Sequence, residues 1–246
     1  KEVLSKIQTD GFISTFEAVQ NKLQQPFLPG YSAVGRVIEA DALGSGFNVG
    51  QLVVSNGPHA GVVAVPSNLC APIPSGVSAD NAVFTVLGAV ALQGIRLANP
   101  TLGETFVVFG LGLVGMLTVQ LLVANGCKVI GIDLNPEKCS LAQNYGAQTI
   151  SFGDPAEQVS RVLELTGGIG VDGVLLTLAS SSSEPVSSAA RFCRKKGRIV
   201  LVGVAGLELN RSEFYEKELT FQVSCSYGPG RYDESYEANG IDYPIS

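Results

Sequence analysis

The stretch Thr105–Asp133, TFVVFGLGLVGMLTVQLLVANGCKVIGID, limits what this chain can fold into more than any other. β-Branched and aromatic residues open it (Phe106–Phe109). Gly110, Gly112 and Gly115 follow, then an apolar helical run, then a second β-rich run (Val129–Ile132) that ends on an acid. The pattern G-x-G-x-x-G between a strand and a helix has a physical reading. Gly110 permits a tight turn, Gly112 lets the backbone approach a pyrophosphate, and Gly115 lets the helix pack close to the sheet. The first N–H groups of the helix and the positive end of its dipole suit phosphate. Asp133 stands eighteen residues after Gly115, near the spacing of about 20 that places a carboxylate on an adenosine ribose. Such a carboxylate accepts from ribose hydroxyls and repels a 2′-phosphate, which favours NAD over NADP. Gly110, Gly112, Leu113, Val114 and Gly115 are the expected diphosphate contacts, and Asp133 with the adjacent Leu134 the ribose contacts. Lys138 lies towards the adenosine end, where it also reads as a solvated helix residue.

Two other readings compete for this stretch. Thr105–Cys127 carries no charge and is long enough for a membrane-crossing helix of about 20 residues. Its three early glycines, its β-branched opening and the stop signal Asn125-Gly126 argue against a single helix, and no flanking excess of Lys or Arg supports insertion. A methyltransferase of similar architecture also uses a Gly-rich turn and an acid after the second strand.

The rest of the composition fits a globular protein that binds neither nucleic acid nor membrane. The chain has 246 residues, 46% of them hydrophobic and 15% charged, enough for a sizeable core. The net charge is −6, and Arg194-Lys195-Lys196 is the longest run of basic residues. Five scattered cysteines without a C-x-x-C pair read as reduced, buried side chains, which fits a cytoplasmic setting. Lys1–Asp10 has no apolar core of a signal peptide and there is no initiator Met, so a fragment of a longer chain is expected.

Ahead of the Gly-rich turn, Ser14–Leu23 has helical spacing at Phe16, Val19 and Leu23. Short β-like runs follow at Gly35–Glu39, Gln51–Ser55 and Gly61–Pro66. Ser78–Asn99 reads as a long apolar helix or a pair of helices, with Ser78 as N-cap. After Asp133, helices are expected at Asn135–Gly146, Pro155–Thr166 and Glu184–Lys196. They alternate with strands at Gln148–Phe152, Val171–Leu178, Arg198–Val204 and Leu219–Ser226. Regular alternation of this kind implies an α/β fold with a parallel, doubly wound sheet. Thr177 and Val202–Val204, including Gly203, then fall at the carboxyl edge of the strands, where ligands of open α/β sheets bind. The serine run Ser180–Ser183 reads as a loop at the same edge.

A small β unit, a long apolar helix and a Rossmann fold, in that order, resemble the medium-chain, zinc-type alcohol dehydrogenase-like superfamily, most closely its bacterial bi-domain oxidoreductases. The matching stretches include LPGYSAVGRVIEA (28–40), FTVLGAVALQGIR (84–96), GCKVIGIDLNPEKCSLAQNYGA (126–147), KKGRIVLVGV (195–204) and KELTFQVSCSYGPGRYD (217–233). The resemblance implies a partial, mainly β, GroES-like catalytic domain over 1–80 and a connecting helix over 81–103. An NAD-binding Rossmann domain over 104–228 and the start of a return segment over 229–246 follow. It also implies that Val204 and Thr85, at the head of the Thr85–Gly88 turn, flank the nicotinamide; both runs read equally as core packing. His59, in a loop, would face the substrate pocket as a candidate general acid or base, or serve as a loop hydrogen-bonder. Where zinc-dependent members have G-H-E, this chain has Gly30-Tyr31-Ser32. Tyr31 would either donate a proton or fill the space of the metal, and Ser32 would face a substrate hydroxyl or sit in an exposed turn. The four-cysteine lobe of that superfamily is absent and there is one His, so no metal is expected. The segment Tyr227–Tyr232, YGPGRY, with Arg231, reads as a surface loop before it reads as an anion site.

The resulting expectation is a zinc-independent oxidoreductase passing hydride between NAD(H) and an alcohol or carbonyl of a small, carbohydrate-related substrate. A homodimer through edge strand 219–226 goes with it. An NADPH-dependent quinone or enone reductase and a non-catalytic dinucleotide-binding module remain as alternatives.

Overall fold

The computed structural model describes residues 29–40, 46–151 and 153–239. The expected helix Ser14–Leu23 and the end of strand Gln148–Phe152 lie outside them. The amino-terminal part is a three-stranded antiparallel sheet in the order β1 (Ala33–Arg36), β2 (Leu52–Ser55), β3 (Cys70–Pro72). The expected strand Gly61–Pro66 does not form. Its alternation is real, because Val63 and Val65 turn inward onto Gly57. The open side of β2 is instead taken by β3, paired Val53↔Pro72 to Ser55↔Cys70.

Ser78–Asn99 resolves into two helices, α1 (Ala79–Ala82) and α2 (Thr85–Ala98). Ser78 caps α1 by accepting from the Asn81 N–H at 3.2 Å. At the break, the Thr85 hydroxyl donates to the Ala82 carbonyl at 2.7 Å, and the Ser32 hydroxyl reaches across from the β unit to the Val83 carbonyl at 2.5 Å. Ser32 is therefore a buried tie between the two parts, neither an exposed turn residue nor a hydroxyl free for substrate.

From Thr105 onward the chain builds one six-stranded parallel sheet: β4 (Thr105–Phe109), β5 (Lys128–Ile132), β6 (Gln148–Ile150), β7 (Val171–Leu176), β8 (Cys193–Leu201) and β9 (Thr220–Val223). The spatial order is β6-β5-β4-β7-β8-β9, so the direction of winding reverses between β4 and β7. In such a sheet the crevice beyond the strand ends at the reversal is the place for a ligand. Helices α3 (Leu113–Ala124) and α4 (Pro136–Asn144) join α2 on one face. Helices α5 (Pro155–Leu165) and α6 (Glu184–Phe192) cover the other. Strand alternation feeds the two cores: Phe106, Val108, Leu175 and Val200 pack on the α3 side, while Val107, Val174, Leu176 and Ile199 pack on the α6 side. The uncharged run Thr105–Cys127 is thus strand, turn and a twelve-residue helix. Among the described residues no helix is long and apolar enough to cross a membrane.

Two boundaries differ from the sequence reading for a physical reason. The helix expected to run through Lys196 stops at Phe192, because the Lys217 ammonium donates to the carbonyls of Ala190, Arg191 and Cys193 at 2.9, 2.9 and 2.7 Å and caps the helix end. Strand β8 starts at Cys193, pairs once with Val171, loops out, and resumes its regular ladder at Arg198. At the opposite edge of the sheet from the ligand crevice, Arg198 binds Glu104 at 2.6 Å and the Asn99 carbonyl at 2.9 Å. Beside it Arg194 binds Asp172 at 2.7 Å. Burial pushes the Cys193 thiol up to about 12, and burial likewise lowers the pKa of Lys217. A lysine whose folded-state pKa is depressed gains stability as pH rises from that value towards the ordinary lysine range. Its three hydrogen bonds outweigh that cost at neutral pH: Lys217→Met is expected to lower stability by about 1–3 kcal/mol, measured by urea unfolding.

Candidate dinucleotide site

The Gly-rich turn leaves β4 at the point where the sheet reverses. Gly110 has φ +100°, and a Cβ there would lie 2.7 Å from the Leu178 backbone nitrogen, so only glycine fits both the torsion and the space. A Cβ on Gly115 would lie 1.9 Å from the Gly110 carbonyl oxygen and 2.8 Å from the Thr177 hydroxyl. This contact lets α3 start directly against the strand it follows. Gly112 is different, because nothing approaches within 4 Å of its missing Cβ and the space in front of it is open. It is also the N-cap of α3, and no side chain caps that helix. The neighbouring α4 and α5 are capped by the side chains of Asn135 and Asp154. The first-turn N–H groups of α3, Leu113 to Gly115, therefore face open space beside half-exposed Leu113, the arrangement that suits a phosphate.

Asp133 follows β5 and points back at this turn. One carboxylate oxygen accepts the Leu111 N–H at 2.7 Å, and the other accepts the Asn135 N–H at 2.9 Å. Lys138 approaches the first oxygen at 3.7 Å. Leu134 beside it is 70% exposed. On the other side of β4 the Thr177 hydroxyl donates to the Gly110 carbonyl at 2.6 Å, close also to the Phe109 carbonyl at 3.2 Å. Thr177 is thus engaged with the turn itself. Gly203 brings β8 against the end of β7, since a Cβ there would lie 2.0 Å from the Leu178 carbonyl oxygen. Val204 continues that contact through its N–H to Leu178 at 3.0 Å while its side chain stays 68% exposed. An open polar groove of about 530 Å³ adjoins this edge, lined by Ser181–Ser183, Glu184, Ser187 and Gly206–Glu208.

The catalytic candidates form a second group. The His59 ring lies over Gly30, whose missing Cβ would fall 2.3 Å from the ring. Its Nε2 meets the Ser32 carbonyl at 3.0 Å, and its backbone N–H donates to Pro29 at 2.9 Å. Donation from Nε2 to a carbonyl leaves Nδ1 as the basic nitrogen of the neutral ring. Tyr31, 55% exposed, sits between these partners in sequence. Ser32 and Val83 link this group to the start of α2 at Thr85. Further along α2, Gly94 lets the helix meet Val202, two residues before Val204. From the carboxyl side, the Asn56 amide donates to the Tyr227 phenol at 3.5 Å, and Arg231 lies on a short helix, α7 (Pro229–Tyr232). The helix that follows, α8 (Glu234–Asn239), packs against the turn before β3. Among the described residues no three His, Cys, Asp or Glu side chains gather as a metal site.

Sequence reasoning missed the parts played by Leu111, Asn135 and Thr177 in holding the turn. Only the motif position of Leu111 and the N-cap type of Asn135 hinted at them. Gly115→Ala is expected to destabilise the fold by about 1–3 kcal/mol, the range for overpacking a tight contact. Thermal unfolding checks it.

The family model for zinc-binding dehydrogenases matches residues 114–239, just over half of the chain. D-guloside 3-dehydrogenase of Escherichia coli is 30% identical over 210 residues, covering 81% of this chain and 59% of that protein. D-xylulose reductase of Saccharomyces cerevisiae is 31% identical over 170 residues, covering 67% of this chain and 48% of that protein. The chain thus spans about half to three fifths of the length of these relatives. The native structure of a mycobacterial protein complexed with NADPH superposes with a TM-score of 0.75 at 23% identity, covering 95% of this chain and 79% of that one. A strand-turn-helix with an uncapped helix start, an acid from the next strand and a matching family model agree: this chain belongs to the zinc-binding dehydrogenases, a medium-chain dehydrogenase family.

Proposed function

We propose that this chain carries the cofactor site and part of the catalytic site of an NAD(H)-dependent oxidoreductase acting on an alcohol or carbonyl, carbohydrate-related by analogy with its relatives. The observation that carries this reading is the Gly-rich turn, with open space at Gly112, uncapped N–H groups at α3 and Asp133 set beside it. A nicotinamide dinucleotide fits these residues and, when bound, supplies the hydride acceptor or donor. The backbone N–H groups of Leu113 to Gly115 would hold its diphosphate and Asp133 its ribose. Val204, with its exposed side chain, and Thr85 at the start of α2 would flank the nicotinamide. Held by Ser32 and Gly30, His59 would move a proton through Nδ1, and the Tyr31 phenol is the second candidate donor.

The family is named for zinc, and the residues described here do not fit it. A tetrahedral site needs about four N, O or S ligands; His59 donates its Nε2–H to a carbonyl, Tyr31 is a poor ligand, and among the described residues no cluster surrounds them. The reaction is therefore read as zinc-independent. Edge strand β9 exposes Val223 by 54%, and we infer that strand 219–226 pairs with its twin in a homodimer. Val223→Lys would then give a monomer in sedimentation analysis, and unchanged mass would remove that inference.

Lys138 next to Asp133 supports a second reading, NADPH use by a quinone- or enone-type reductase, since it offers a cation to a 2′-phosphate. Fluorescence titration with NADH and NADPH separates the two. NADH is expected to bind at least about tenfold more tightly. Asp133→Asn keeps an acceptor for Leu111 and removes the charge, so it should weaken NADH by about tenfold, the value of a hydrogen bond to a charged group. A preference for NADPH would reverse the cofactor assignment. Binding of neither would leave a non-catalytic module.

A further inference from the structure

The peptide unit joining Gly110 to Leu111 is gripped at both ends. Its carbonyl accepts from the Thr177 hydroxyl at 2.6 Å, and its N–H donates to Asp133 at 2.7 Å. In a trans peptide these two groups point in opposite directions, so the plane is spanned between the end of β7 on one side of β4 and the end of β5 on the other. The Gly110 carbonyl is also the atom against which Gly115 packs, and the same Thr177 hydroxyl stands 2.8 Å from where a Gly115 Cβ would be. A single hydroxyl thus sets the orientation of the peptide that begins the turn and the position of the helix residue that ends it.

We propose that Thr177 is a positioning residue for diphosphate binding: by fixing the Gly110–Leu111 peptide plane, it aims the free N–H groups of Leu113 to Gly115. The idea rests on the dinucleotide reading of the turn and adds to it. Thr177 lies just past the end of β7, on a different part of the chain from the motif, and has its hydroxyl spent within the protein. It acts through the backbone, whereas Asp133 holds the turn with one carboxylate oxygen and is the residue that the dinucleotide reading assigns to the ribose. Two hydrogen bonds from opposite neighbours leave the peptide no direction in which to rotate. Loss of one lets it swing about the flanking torsions of Gly110, the residue least able to resist.

Thr177→Val keeps the shape and removes the hydroxyl, and Thr177→Ser restores the hydroxyl without the methyl. Two measurements on the whole chain test the proposal. In the absence of ligand, Thr177→Val should speed amide hydrogen exchange at Leu111, whose N–H the held peptide keeps on Asp133, by about fivefold to tenfold, in line with one lost hydrogen bond, and Thr177→Ser should return it to the wild-type rate. In titrations, Thr177→Val should weaken ADP by a similar factor and leave adenosine unchanged, because adenosine lacks the diphosphate that the N–H groups hold. Unchanged exchange, equal loss of ADP and adenosine affinity, or no recovery in Thr177→Ser would overturn the positioning role. If wild-type protein binds neither ADP nor NADH, the dinucleotide reading fails, and the proposed aiming of a diphosphate fails with it. The exchange experiment still decides whether Thr177 clamps the peptide.

Discussion

One peptide bond at the carboxyl end of β4 depends on three adjacent strands. Its carbonyl is held by Thr177 from β7, its N–H by Asp133 from β5, and the start of α3 packs on it through Gly115. The strand order makes this possible. β4 lies between β5 and β7, so the ends of both flank the turn that leaves it, and the reversal of winding between β4 and β7 opens the crevice there. A fold that opens a crevice at this point also supplies the neighbours that rigidify its floor, and a rigid floor lowers the ordering cost of binding.

The other end of the sheet is held by charge. Arg198 joins Glu104 to the carbonyl at the end of α2 and lies 5.4 Å from the centre of the Phe106 ring, while Arg194 joins Asp172, which also accepts the Thr105 N–H at 2.7 Å. These pairs are partly buried and share hydrogen bonds with the backbone, which sets them apart from isolated surface pairs of little value. Lys217 terminates α6 in the same way, with three donors on three carbonyls. Polar side chains thus determine where helices end at the closed edge, whereas at the open edge the first N–H groups of α3 have no side-chain cap, where a ligand would need them.

The alternation of strand and helix from Thr105 to Val223 follows from residue patterns, because strands covered on both faces read as continuous apolar runs and helices as runs bounded by caps such as Asn135 and Asp154. The glycine turn and Asp133 could be read for the same reason: each role is set by a residue type at a fixed spacing. Gly61–Pro66 misled because its period of two reports burial and not pairing. Val63 and Val65 are half-buried against Gly57 without a strand partner. Lys217 lies 27 residues along the chain from the Ala190 carbonyl it caps, and no local pattern announces such a contact.

The sequence by itself determined that a phosphate-sized space would open at Gly112 and that an acid would follow on the next strand, since a missing Cβ and a carboxylate at a set distance along a βαβ unit leave few other arrangements. Tertiary structure alone decided the rest. It made Ser32 a buried tie to the break before α2, and it directed Asp133 back to the turn. It also placed Thr177 within reach of a peptide 67 residues earlier in the chain. Those outcomes depend on hydrogen bonds between groups far apart in sequence, whose geometry exists only after the strands have assembled in their order.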